Sequence, residues 1–393
     1  MPNPKITSVI VIHAPQPWVR ANRRWAFRAL ANTLPPHAGV LIVDRPIDPV
    51  GTMVKHPRRT LRRLRRRRSV RESERLAVLH PRLAVHEFLA NHIPGAESIN
   101  TSLLRTQLRA ALRRHYPNAR KVVQWIHHPH QSWVYRALPG CGTVYHCYDE
   151  YNYADSGEFN EGKWDAEKTL LQTVDLVFVT SSVLEERRAP FARRIEILPN
   201  GVPAFFLRNT GVSDADIEQI AHPRIGYVGT IFPVIDFEML HQVFAARPHW
   251  QLVMVGPVHP RSPVKALAQL PNVSLVGPRP HEVLPSVLRQ FDVGIIPIGI
   301  NGFTRPLIPL KLFEYMGAGV PIVSTAFPEL EQYSSVLELV ACEPSAFADA
   351  IERTLAQDAT VVRDQLQSIA RDLTWTEINR HSVVPILQDV FGI

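Results

Sequence analysis

The feature that most restricts the fold is an alternation that runs twice along the chain: a short apolar, β-branched run, a stretch with helical spacing, then another apolar run. SVIVIHA (8–14) and GVLIVD (39–44) are apolar, as strands buried on both faces of a parallel sheet are, and RRWAFRALANTL between them has helical spacing. RLAVHEF (82–88), KVVQWIHHP, TVYHCYDEY, DLVFVTS (175–181) and RIEILPNGV (194–202) read as further strands. A helix is expected over SLLRTQLRAALRRHY, capped by Asn100 or Thr101 and ended by Pro117. The pattern restarts at RIGYVGTI (224–231) and continues through WQLVMVGP, NVSLVGP and VGIIPI, with helices at DFEMLHQVFAARP, HEVLPSVLRQF and PLKLFEYMGAG.

Strand–helix–strand units place helices on both faces of a parallel sheet, and 393 residues suffice for two such domains at roughly 100–200 residues each. The expected fold is α/β, with two Rossmann-like domains facing each other across a cleft. The first spans 1–205 and the second 206–373, with 202–223 as the linker and 374–393 as a helical tail crossing back to the first domain.

The formal charge of +8 is local. Segment 55–75, KHPRRTLRRLRRRRSVRESER, holds eleven Lys or Arg against two Glu, and outside it 33 basic residues face 34 acidic ones. The basicity therefore belongs to one loop and not to the fold. Leucines beside Arg62, Arg63, Arg65, Arg66, Arg67 and Arg68 suit an anionic membrane surface, where each cation contributes about 1 kcal/mol. A solvated loop is the plainer reading, and nucleic-acid binding the weaker one, since no aromatic residues interleave the run.

No apolar run approaches the ~20 residues that cross a bilayer, and the opening run ends without a small-residue cleavage pattern. Cys141, Cys147 and Cys342 form neither a CxxC pair nor an even set. A cytoplasmic protein, peripheral on the inner face of the cell membrane, is expected.

The densest chemistry lies in IIPIGINGFTRPLIPLKLFEYMGAGVPIVST (295–325). A buried strand ends at Pro297, and a helix begins near Pro309 or Leu310. The unpaired N–H groups and positive partial charge of a helix start favour a diphosphate, and Lys311 and Arg305 add cations. Glu314, three residues after Lys311, shares its face and suits ribose hydroxyls. An exposed Lys311–Glu314 ion pair is the bland alternative.

At these residues the chain resembles the donor-binding domain of GT-B glycosyltransferases. It is similar to the group 1, family 4-like bacterial polysaccharide sequences with a K-[LF]-[FY]-E-Y-[LM]-A-x-G-x-P-[IV]-V segment, matched by KLFEYMGAGVPIV. GYVGTI, Asp236 before a helix, LVMVGP, NVSLVG and HEVLPSVLRQFDVGIIPI extend the resemblance through the second domain, and VDLVFVTSSVL and IEILPNGV carry it into the first.

The resemblance implies transfer of a sugar from a nucleoside diphosphate sugar to a lipid-linked or oligosaccharide acceptor in bacterial surface polysaccharide synthesis, with no metal and no other cofactor. It implies that Gly229 and Thr230 approach the diphosphate and donor sugar, and that Arg279 and Pro280 border the base. Many retaining members carry two glutamates separated by seven residues. Pro306 stands where the first would be, so inversion is expected. The basic residues that many members place after the GT turn are also missing from IFPVID, and Arg305 is expected to compensate.

An inverting transfer needs a base for the acceptor hydroxyl. TVYHCYDEYNYADS puts His146, Asp149 and Glu150 at a strand end. The resemblance supports Asp149 as base, with Glu150 the alternate and a local backbone contact the plain alternative for Asp149. His127, His130 and Trp133 in WIHHPHQSW, with His146, are acceptor-side candidates, loop packing being the alternative. HHxH with no acidic or thiolate partner is a poor metal site, and the Asp214/Asp216 DxD lies in the linker and is not read as one. A nucleotide-sugar epimerase or phosphorylase of the same fold, or a nucleic-acid-binding protein using the arginine loop, are the rival functions.

Overall fold

The computed structural model describes residues 5–18, 23–46, 68–90, 92–209 and 211–393. Its first sheet is formed by β1 (Ser8–His13), β2 (Ala38–Val43), β3 (Ser69–Arg71), β4 (Leu76–Leu79), β5 (Lys121–Ile126), β6 (Gly142–Cys147), β7 (Leu176–Val179) and β8 (Ile195–Ile197). The strand order is β3-β4-β2-β1-β5-β6-β7-β8, parallel except for β3 against β4.

Alternate residues of β1 serve different cores. Val9 and Val11 pack with α2 (Ala96–His115) through Leu104 and Leu108, whereas Ile10 and Ile12 pack with α1 (Arg24–Thr33) through Phe27 and Leu30. A strand covered on both faces has no polar side to present, which is why β1 and β2 are apolar.

One predicted strand is misplaced. Leu-Ala-Val occurs twice, at 76–78 and 83–85, and the sheet uses the first copy. Pro81, which has no N–H to add to a ladder, separates them. The backbone of the second copy is satisfied instead by Asn100, whose Oδ1 accepts from the N–H groups of Ala84 (3.0 Å) and Val85 (3.2 Å) and whose Nδ2 donates to the Val85 carbonyl (2.9 Å). Asn100 therefore lies inside α2, which starts at Ala96 after Gly95, and does not cap it.

The second sheet is wholly parallel: β9 (Arg224–Val228), β10 (Gln251–Val255), β11 (Val273–Leu275), β12 (Val293–Ile296), β13 (Ile322–Thr325) and β14 (Glu338–Val340), in the order β11-β10-β9-β12-β13-β14. In both sheets the order reverses beside the first strand, between β1 and β5 and between β9 and β12. Such switch points open a crevice beyond the carboxyl ends of the strands, where ligands of open α/β sheets bind.

The segment expected to be a plain linker contributes to the second core, with Phe206 and Ile217 fully buried in it. The chain crosses between domains twice, and the crossings pair. Val202 N–H donates to Leu373 O and Trp375 N–H to Val202 O, each at 3.0 Å. Gly201 makes this approach possible, since a Cβ there would stand 2.7 Å from Leu373 O. Beyond it, Trp375, Ile378, Val383 and Leu387 join Ile10, Ile12 and Phe27 in the first domain's core.

Polar contacts also bridge the flanks of the cleft. Glu329 Oε1 accepts from Ser182 Oγ (2.8 Å) and Val183 N–H (2.7 Å), Arg261 pairs with Asp155 (2.5 Å), and Asn200 Nδ2 donates to Ile308 O (2.8 Å).

Candidate active site

The ends of β9, β10 and β12 meet the start of α5 (Leu310–Ala318) in a cleft of about 490 Å³. From the second domain its lining includes Gly229, Thr230, Arg279, Lys311 and Glu314, and from the first it includes Asp149. Six of the predicted residues, up to 165 apart in sequence, therefore share one space.

Gly229 has φ +131° and Gly256 has φ +152°, and a Cβ on Gly256 would lie 1.9 Å from Gly229 O. Only glycine lets these two strand ends lie together under the cleft floor. Pro309 precedes α5 and offers no side-chain cap, so the helix start presents its backbone donors and positive end toward the cleft.

Lys311 and Glu314 do not pair with each other. Lys311 Nζ donates to Tyr227 Oη (2.8 Å) and lies 4.2 Å from the centre of that ring, while Tyr227 Oη donates to Thr230 O (2.9 Å). Among the described residues Lys311 has no carboxylate partner, which leaves its charge for an anion. Glu314 Oε1 is held by His281 Nε2 at 2.7 Å, and the His281 ring packs on Phe205 and Phe206. Tyr227 and His281 were missed although each lies inside a quoted phrase, GYVGTI and HEVLPSVLRQF, because nothing local marks a side chain that steadies another.

Arg279 lines the cleft but is tied back: its Nε donates to Asp214 Oδ2 at 2.6 Å and its Nη2 to Asp214 and Asp216. Those hydrogen bonds hold Asp214 below the usual carboxylate range. The DxD thus serves Arg279, and among the described residues no cluster of His, Cys, Asp or Glu has the geometry of a metal site. Pro280 leads into the His281 turn without lining the cleft. Arg305 is exposed and lines neither this cleft nor its neighbour, so the compensation expected of it has no geometric support.

Asp149 follows β6. Among the described residues its carboxylate has no hydrogen-bond partner. Burial raises its pKa to about 6, the nearby Arg23 opposing the rise. A carboxyl poised there and facing a cleft can accept a proton near neutral pH.

Glu150 cannot serve as the alternate base. It is 2% exposed and bound to Arg188 Nη2 at 3.0 Å, and Arg188 Nε binds Glu167 at 2.9 Å. Glu167 belongs to α3 (Glu161–Thr173) and Arg188 ends α4 (Ser182–Arg188), so the triad ties two helices to the segment after Asp149.

Most acceptor-side expectations also change. Trp133 is buried in the first core. His127 and His146 lie behind Tyr148, with ring centres 5.7 and 5.8 Å from it, and burial holds both well below the ordinary histidine pKa. They are neutral packing residues. His130 is partly buried against His128, their Nδ1 atoms 2.5 Å apart, and lines neither cavity. Arg62 to Arg67 lie outside the described residues, and Arg68 is exposed.

Residues 222–357 match the family model described as glycosyl transferases group 1. This segment is similar to group 1 glycosyl transferases, and the chain as a whole has a GT-B fold. Sucrose-phosphate synthase from Thermosynechococcus elongatus superposes with a TM-score of 0.73 at 19% identity, covering 98% of this chain and 99% of that one. HepE of Anabaena, solved in complex with UDP, gives 0.66 at 14% identity over 98% and 100%. TuaH of Bacillus subtilis (strain 168), provisionally named a teichuronic acid biosynthesis glycosyltransferase, is 29% identical over 222 residues. That match covers 53% of this chain and 56% of TuaH, so the chain spans about half the length of this curated relative.

Proposed function

We propose that the protein transfers a sugar from a nucleoside diphosphate donor to a lipid-linked or saccharide acceptor in bacterial surface polysaccharide synthesis, with inversion at the anomeric carbon. One observation carries this reading: a carboxylate without a hydrogen-bond partner, Asp149, lines the same cleft as Lys311, Glu314 and the start of α5. Asp149 takes the acceptor hydroxyl proton as that oxygen bonds to the anomeric carbon. The bond from that carbon to the diphosphate oxygen breaks on the opposite side. Lys311 and the positive end of α5 stabilise the leaving diphosphate, and Glu314, oriented by His281, receives the ribose hydroxyls. The polysaccharide context rests on the name given to TuaH.

The test is a thermal-shift panel of UDP-, GDP- and dTDP-sugars, in which the true donor raises the melting temperature. Lys311→Ala is expected to weaken that donor's binding roughly ten- to hundredfold, the scale of one charge-assisted contact. No response to any nucleotide sugar, or unaltered affinity in the variant, would overturn the assignment.

Membrane attachment is part of the same proposal. No helix among the described residues is long and apolar enough to cross a membrane, but Ile99 and Leu103 are exposed on α2, and Arg113 and Arg114 follow on the same side. Two exposed apolar side chains with cations farther along the same helix suit an anionic bilayer surface. Co-sedimentation with phosphatidylglycerol vesicles is expected to fall at least fivefold in an Ile99→Ser, Leu103→Ser double variant, and equal sedimentation would remove this surface from the proposal.

A further inference from the structure

Beside the donor cleft, at the switch point of the first sheet, lies a second cavity of about 220 Å³. Asp149, Leu307 and Leu310 line both spaces. The remaining wall includes Gln16 after β1, Tyr148 after β6, and Arg23. We propose that this cavity is an oxyanion subsite, in which Arg23 receives the phosphate or carboxylate of an acidic acceptor sugar. The proposal rests on the transferase reading for calling the ligand an acceptor, and on the cavity itself for its charge.

The case is made by contrast with the other buried arginines. Arg188 is fully buried and meets two carboxylates, Glu150 and Glu167, and Arg224, 7% exposed, donates to the carbonyls of Glu218, Ile220 and Gln290. Arg23 is 9% exposed, yet among the described residues no carboxylate lies within ion-pair distance of it. Among the described residues its side chain makes one hydrogen bond, from Nη2 to Asn200 Oδ1 at 2.8 Å, and its plane lies over the Tyr148 ring at 4.1 Å.

Stacking and a single bond fix the guanidinium's orientation while most of its five N–H donors remain uncommitted. Burial works against its charge, so a partner anion would relieve a real cost. The planar fork of arginine matches the paired oxygens of phosphate and carboxylate alike. Asp149 acts on Arg23 electrostatically without bonding to it, so an anion seated on Arg23 would place the rest of a sugar ring toward the base and the donor.

The test is calorimetric titration of the full chain, with UDP present to fill the donor cleft, using glucose 6-phosphate, glucuronate and glucose. At least one acidic sugar is expected to bind tenfold or more tightly than glucose, and which one binds tells phosphate from carboxylate. Arg23→Gln is expected to abolish that preference while retaining UDP affinity, which also reports that the variant is folded. Arg23→Lys, which keeps the charge but loses the fork, is expected to bind the acidic sugar at least threefold more weakly than the unmodified protein.

Equal binding of acidic and neutral sugars, or a preference that survives in Arg23→Gln, would overturn the subsite. Should Arg23→Gln not fold, full affinity in Arg23→Lys would do so. If UDP itself does not bind, the transferase reading fails separately. The acidic-sugar preference is then read without nucleotide in Lys311→Ala, where the donor cleft lacks its phosphate-binding cation.

Discussion

Asparagine in place of Asp149 is expected to lower transfer by roughly 10²–10⁴-fold while leaving nucleotide-sugar binding near normal, the effect of removing a general base from an intact site. The shape of the amide is almost that of the acid, so the cleft should persist. Turnover of the unmodified protein is expected to rise with pH through about 6 and then level, because the base works only when deprotonated.

Stability should run the other way. The folded-state pKa lies above the ordinary 3.8, so the folded protein holds a proton that the unfolded chain has released between about pH 4 and 6. The carboxyl's contribution is therefore complete below 3.8 and lost as pH rises through about 6. Asparagine, which never ionises, is expected to stabilise the protein at pH 7 by at most about 3 kcal/mol. Near-normal turnover of the variant, or a product of retained anomeric configuration by proton NMR, would sink the proposed mechanism.

Methionine at Arg188 is expected to destabilise the fold by about 3–5 kcal/mol, measured by urea unfolding at pH 7. The cation stands between Glu150 and Glu167, with Tyr145 Oη also donating to Glu167 at 2.6 Å and Asn152 Nδ2 donating to Glu150 at 3.0 Å. Removing it strands Glu167 in an apolar interior and leaves Glu150 only the longer contact with Arg187 at 3.7 Å, and neither tyrosine nor amide can supply the lost charge. Because Glu150 follows Asp149 directly, turnover is expected to fall with stability. A loss below about 1 kcal/mol would mean that water or another cation reaches the two carboxylates.

The second-domain wall of the cleft, proposed to hold the donor, was legible in the sequence because its parts are neighbours along the chain. Lys311 and Glu314 lie within one helical turn, Pro309 marks the start of that helix, and Gly229 follows a strand directly, so spacing alone carries geometric meaning. The acceptor side was not. Trp133 and His127 look like an aromatic sugar platform in sequence, yet both turn into the core. Arg23 sits in an arginine-containing run where no local feature separates it from Arg24, which reaches across to Glu282.

Asp149 and Glu150 show the limit most clearly. Both lie in the bend past the end of β6 at Cys147, where strand alternation no longer applies and nothing local says which of two adjacent carboxylates faces the cleft. Which one does depends on where Arg188 waits, 38 residues further on, and on which side the second domain closes. The sequence by itself determined the two largely parallel sheets and the turn into the helix of Lys311 and Glu314, because periodicity and helix-start signals act over a few residues. Only the tertiary structure decided which carboxylate remained open to the cleft, which buried arginine was left with uncommitted donors, and which histidines were sealed away. Those outcomes depend on desolvation and on partners brought together from distant parts of the chain.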